Sequence, residues 1–75
     1  MSGLVKRSFT LAGHRTSIAL EPEFWDALLR IAQRRGLNLS ALIAEADAAR
    51  GPDSQLASVL RVMSLLAAGE ARGPE

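Results

Sequence analysis

The stretch His14–Ile43, HRTSIALEPEFWDALLRIAQRRGLNLSALI, decides the fold. Ile18 and Leu20 alternate with Ser17 and Ala19, which is the period of a half-buried strand, and two helix patterns follow with no room for a crossover between them. A lone strand has an open edge on each side and cannot satisfy its own backbone. The stretch therefore predicts a strand that pairs with its copy in a second chain, and a dimer whose shared ribbon is the working surface.

Pro22 ends this strand and suits the first turn of a helix, where its missing N–H costs nothing. Phe24, Leu28, Ile31 and Ala32 recur at helical spacing, Glu23 and Asp26 sit at the positive end of the helix dipole, and Gly36 after Gln33-Arg34-Arg35 is a natural C-terminal cap. The first helix is expected at about 22–35. Asn38 caps a second helix with Leu39, Leu42, Ile43 and Ala46 on its apolar face, and Gly51-Pro52 stops it. Asp53 or Ser54 then caps a third helix carrying Leu56, Val59, Leu60, Met63 and Leu66.

Upstream, Phe9 and Leu11 alternate with Ser8 and Thr10, but on odd positions, whereas Ile18 and Leu20 are even. One continuous strand cannot bury both sets on one face. A turn or bulge must intervene at Ala12-Gly13-His14, giving two strands at about 7–11 and 15–20, with Gly13 free to take positive φ. No internal repeat or linker is read. The expected organisation is a disordered 1–5, one domain over 6–68 and a disordered tail over 69–75.

With 75 residues and no cysteine, the chain is one small domain with neither a disulfide framework nor a thiolate metal site, and oligomerisation is the remaining route to a sufficient core. No apolar run is long enough to span a bilayer and no signal-peptide pattern opens the chain, so a cytoplasmic location and no membrane partner are expected. Net charge is only +1, yet residues 1–20 hold Lys6, Arg7 and Arg15 and no acid, while the remainder holds eight acids and six bases. A two-fold dimer would bring two such basic segments together.

Catalytic chemistry is sparse. His14 is the single histidine and falls in the turn, where an exposed polar residue is ordinary, and no tyrosine, histidine pair or glycine-rich phosphate loop is present. Glu45 and Asp47 are two apart on a helix and point to different faces, which does not make an acid–base pair. Trp25 reads as a hydrophobic anchor and Met63 as core filler. Neither an enzyme, a metal nor a cofactor is expected.

The order strand, Pro22, helix, Gly36, Asn38, helix over Arg15–Ala49 resembles the ribbon-helix-helix superfamily of the Arc and MetJ repressors. The longer form, with the FTLAGHRTSIALEPEFW opening and a third helix, is similar over residues 6–67 to small bacterial ribbon-helix-helix domain proteins of mostly unassigned function. The fold so implied is mainly α with a short N-terminal β-ribbon, a homodimer with an added strand and a third helix. The resemblance implies a ribbon in the DNA major groove with Arg15, Ser17 and Ala19 facing the bases. Arg15 would pair with guanine, Ser17 bond either base type, and Ala19 touch a thymine methyl. It also implies phosphate contacts at the backbone of Asn38, Leu39 and Ser40, with Arg34 and Arg35 close by. Lys6 and Arg7 would form a basic arm on the phosphate backbone. Ile18, Leu20, Phe24, Leu28, Ile31, Leu42 and Ile43 would build a core shared between the two chains.

Two functions are weighed on these residues. One is a homodimeric transcriptional regulator that binds double-stranded DNA. The alternative is a dimeric protein–protein interaction module on the same fold, without sequence-specific DNA binding, using the third helix as its docking face.

Overall fold

In a computed structural model, which describes residues 3–72, the chain runs as two strands followed by three helices. Strand β1, Val5–Leu11, and strand β2, His14–Leu20, form an antiparallel hairpin in which Leu11 faces His14, Ser8 faces Ser17 and Val5 faces Leu20. Ala12 and Gly13 alone make the turn, with φ of 52° and 82°. Positive φ at both central residues is the turn whose twist matches that of the flanking strands. Two turn residues also convert odd parity into even, so Phe9, Leu11, Ile18 and Leu20 all reach one buried face.

The strand predicted to need a partner has one within its own chain, because β1 pairs with β2 along its full length, and the outer edge of β2 stays open. One expectation is overturned, because the chain does carry a short repeat: VKRSFTL of β1 and HRTSIAL of β2 share one pattern at a nine-residue offset, with Ser8 matching Ser17 and Leu11 matching Leu20. The odd offset is what produces the parity switch, and it hides the repeat from a reading by alternation.

Helix α1, Pro22–Arg35, begins with the Phe24 and Trp25 N–H groups donating to the Glu21 carbonyl and ends at Gly36, φ 69°. There the Leu37 N–H donates to the Ala32 carbonyl at 2.8 Å and the Gly36 N–H to Gln33 at 3.2 Å, the double bond that closes a helix through a left-handed residue. Helix α2, Leu39–Ala49, is capped by Asn38, whose Oδ1 accepts from the Ala41 N–H at 2.8 Å. Helix α3, Leu56–Arg72, starts later than an Asp53 or Ser54 cap would place it. Those residues instead form a turn, in which Ser54 donates its N–H to the Gly51 carbonyl and accepts an Arg50 guanidinium hydrogen bond on its own. The helix continues through Gly69 to Arg72, so 69–72 of the expected tail is helical, and the N-terminal strand already begins at Val5. Residues 1–2 and 73–75 lie outside the described residues.

The three helices cover the inner face of the hairpin, with α3 packed against α1, α2 and β2. Leu20, Leu28, Leu42, Ile43 and Leu60 are fully buried, each worth about 1.5–3 kcal/mol relative to exposure. The residues expected to form the core are buried or half-buried within the single chain. Ile18, Leu20, Leu28, Ile31, Leu42 and Ile43 are buried and Phe24 is half-buried. The physical reason is α3: Leu60 enters the core from it, and Leu56, Val59 and Met63 pack at its margin.

Ala12 holds a left-handed conformation that costs an L-residue with a Cβ roughly 1–2 kcal/mol. Ala12→Asn should therefore stabilise the fold by about 0.5–1 kcal/mol, since Asn-Gly is the preferred pair for this turn. A rise of a few degrees in the thermal unfolding midpoint would register it. An unchanged or lower midpoint would contradict the turn assignment.

Candidate nucleic-acid interface

Alternation places Lys6, Ser8 and Thr10 of β1 on the hairpin face away from the helices, together with Arg15, Ser17 and Ala19 of β2. These six form three cross-strand tiers, Lys6 opposite Ala19, Ser8 opposite Ser17, and Thr10 opposite Arg15. The Ser8 and Ser17 hydroxyls lie 3.1 Å apart, and Arg15 donates to the Thr10 Oγ1 at 3.2 Å. Five of the six are exposed and Ala19 is half-exposed. No acid lies on this face, and a base stands at each end of it.

The expected base-facing trio is therefore on one surface, but it is half of that surface. Sequence reasoning missed Ser8 and Thr10, although their alternation with Phe9 and Leu11 was visible. What it lacked was the register that lays β1 beside β2. Arg7, expected to act with Lys6 as a basic arm, lies on the opposite face by strand alternation. Its guanidinium sits over the Trp25 ring, 5.4 Å from the centroid. Trp25 is buried, packs at 5.9 Å from the Phe9 ring, and donates its indole N–H to the Val5 carbonyl at 2.8 Å. This side chain fastens the start of β1 to α1 and so fixes the level at which Lys6 emerges.

At the second expected site, the Asn38 side chain is committed to capping α2, and the Leu39 and Ser40 amides are first-turn donors with no acceptor inside the helix. Arg35 is not free to add attraction there. It makes a two-pronged ion pair with Glu45, at 2.6 and 2.9 Å, that ties the end of α1 to α2. Glu21, between β2 and α1, accepts from Arg61 of α3 at 3.0 and 3.2 Å, and Arg61 also lies over the Phe24 ring. No metal-ligand cluster occurs among the described residues, and no helix there is long and apolar enough to cross a membrane.

A family model described as a ribbon-helix-helix domain matches residues 4–68, and the chain belongs to that family. The fold is a regulatory DNA-binding one rather than an enzymatic one, and its members are typically DNA-binding transcription regulators. Among solved structures the chain is similar to an uncharacterized protein from Bordetella pertussis Tohama I. Sequence identity is 32% and the TM-score 0.74, over 96% of this chain and 63% of that one. This chain thus spans less than two thirds of that protein's length. No curated protein matches.

Both clamps carry a pH signature. The Glu21 carboxyl is held below its ordinary value, first by a hydrogen bond to its own backbone and then by Arg61. Glu45 is lowered by its hydrogen bond with Arg35. Because folding depresses both, their contribution is complete above the unfolded carboxylate pKa and disappears as pH falls through the lower folded values. Thermal stability should be level from neutral pH to about 5 and decline below the usual carboxylate range near 4. Glu45→Gln should flatten part of that acid limb, and an unaltered limb would show that this pair does not shape it. The effect should be small, since both pairs are exposed.

Proposed function

We propose that this protein is a small DNA-binding transcriptional regulator of the bacterial cytoplasm that lays its β-ribbon in the major groove. The observation that carries this reading is the exposed, acid-free outer face of the hairpin with Lys6 and Arg15 at its ends. A two-stranded ribbon fits a groove about 12 Å wide, and polar side chains standing out from it meet base edges. Arg15 contacts guanine, Ser17 bonds either base type, and Ala19 packs on a thymine methyl. The Leu39 and Ser40 amides, with the Asn38 backbone, hold a phosphate at the start of α2.

The protein acts in this reading as a homodimer, and the geometry favours α3 as the place of contact. Joining two chains along β2 would give four strands spanning roughly 14 Å between outer axes, too wide for the groove. On α3, Val62, Leu65 and Leu66 are 52%, 64% and 66% exposed, beside an open groove lined by Ile31, Val59 and Met63. Val59, Val62 and Leu66 follow the three-four spacing of a helix seam. Pairing there leaves both hairpins free. The same strip supports a second reading, in which α3 docks a different protein and the fold serves as an interaction module.

Affinity for duplex DNA should fall steeply between about 50 and 200 mM salt, and Arg15→Ala should cost a preferred site about 1–3 kcal/mol. Selection from a random duplex pool at two salt concentrations tests both. Failure to retain any duplex at low salt would end the DNA reading. Sedimentation of the free chain should show a dimer that Leu66→Lys converts to a monomer. A wild-type chain that stays monomeric assigns the strip to another partner.

A further inference from the structure

The two strands of the hairpin repeat one pattern, and their register sets the copies about a local two-fold axis. The axis passes between the Ser8 and Ser17 hydroxyls, 3.1 Å apart. It carries Lys6 onto Arg15, Thr10 onto Ala19, Phe9 onto Ile18 and Leu11 onto Leu20. The four apolar members of this set are all buried, so the match holds in three dimensions as well as in sequence. The symmetry fails where the inner face meets α1, since Arg7, stacked on Trp25, matches Thr16, and Val5, bonded to the same indole, matches His14; on the outer face Ala19 lacks the hydroxyl of its mate Thr10.

A strand that must pair with its two-fold copy in another chain is here given a near-copy in its own. We propose that one chain carries a complete, pseudo-two-fold reading ribbon in which Lys6 and Arg15 are equivalent base-contact residues, so that a single hairpin reads a short inverted repeat. This rests on the DNA reading above and makes its site more specific. Base pairs of duplex DNA are themselves related by local two-fold axes, so a ribbon with such an axis presents matching donors to both half-sites. Lysine and arginine both donate to the guanine O6 and N7 acceptors. Arginine does so through a rigid fork and lysine as a single flexible charge, so the two half-sites are unequal, with the sharper guanine preference on the Arg15 side. At the Ser8–Ser17 centre, either hydroxyl gives or accepts, which tolerates either base. The outer pair, Thr10 and Ala19, presents only small side chains, and Thr10 is already bonded to Arg15.

The alternative placement gives Lys6 a different role. If the ribbon were built from two β2 strands, β1 would lie outside it and Lys6 would reach only phosphates. A phosphate contact weakens every sequence alike and lowers the salt slope by about one, without changing the preferred site.

The test is selection from a randomised duplex pool at low salt with the full chain, repeated with Lys6→Ala and Arg15→Ala. Both side chains are exposed, and circular dichroism checks that each variant is folded. The expected motif is a short inverted repeat with guanine at two symmetry-related positions. Arg15→Ala relaxes one of them and Lys6→Ala the other, each weakening the wild-type site by roughly fivefold to a hundredfold. If Lys6→Ala leaves the motif intact and lowers affinity uniformly, or has no effect, the single-chain ribbon is overturned while DNA binding stands. A motif without inverted symmetry overturns it equally. Retention of no duplex by the wild-type chain removes the DNA reading and this inference together.

Discussion

The structure depends on closure of one turn. With only Ala12 and Gly13 between the strands, both left-handed, Leu11 must face His14, and every later pairing follows from that first one. The register brings four apolar side chains to one side and six small or basic ones to the other. A one-residue slip would put the two apolar pairs on opposite faces and turn either Phe9 and Leu11 or Ile18 and Leu20 to solvent. Burial of those four against the helices therefore holds the register as firmly as the turn does. The strained alanine is tolerated because burial and strand pairing together over-determine its conformation.

A second closure lies at the other end of the chain. Helix α3 supplies Leu60 to the core, and its Arg61 ties back to Glu21, the residue that separates β2 from α1. Ser64, also buried, satisfies its hydroxyl on the Leu60 carbonyl one turn earlier and so lets the helix lie close without an orphaned polar group. Together β1 and α3 bracket the central strand–helix–helix segment in sequence and cover it in space. That is how a chain of 75 residues builds an enclosed core without a disulfide.

Much of this is legible from sequence. Pro22, Gly36 and Asn38 are residues whose backbone and hydrogen-bonding preferences are strong and local, and they mark helix boundaries that the structure reproduces. The turn can be placed because odd and even apolar positions cannot share a face. What sequence does not reveal is long-range: that β1 satisfies β2, that Arg7 stacks on Trp25, and that Glu45 engages Arg35. Each depends on residues brought together by the tertiary fold, which periodicity does not encode. The start of α3 is misplaced for a different reason. Asp53 and Ser54 have good capping chemistry, but Gly51-Pro52 and the Arg50 bond to the Ser54 carbonyl commit them to a turn. Among the candidate interface residues, Arg15 and Ser17 follow from alternation alone, and Ser8 and Thr10 require the pairing.

Pairing β1 with β2 inside one chain has a consequence for concentration. A ribbon assembled from two chains exists only in proportion to the associated species, so its abundance falls as the square of protein concentration in dilute solution. A hairpin joined by two residues has no such dependence: its strands meet at an effective concentration set by the turn, and dilution does not separate them. The outer face of this hairpin is presented as long as the chain is folded, at a handful of copies per cell as at many. Any self-association through α3 then adds avidity to a surface that is already formed.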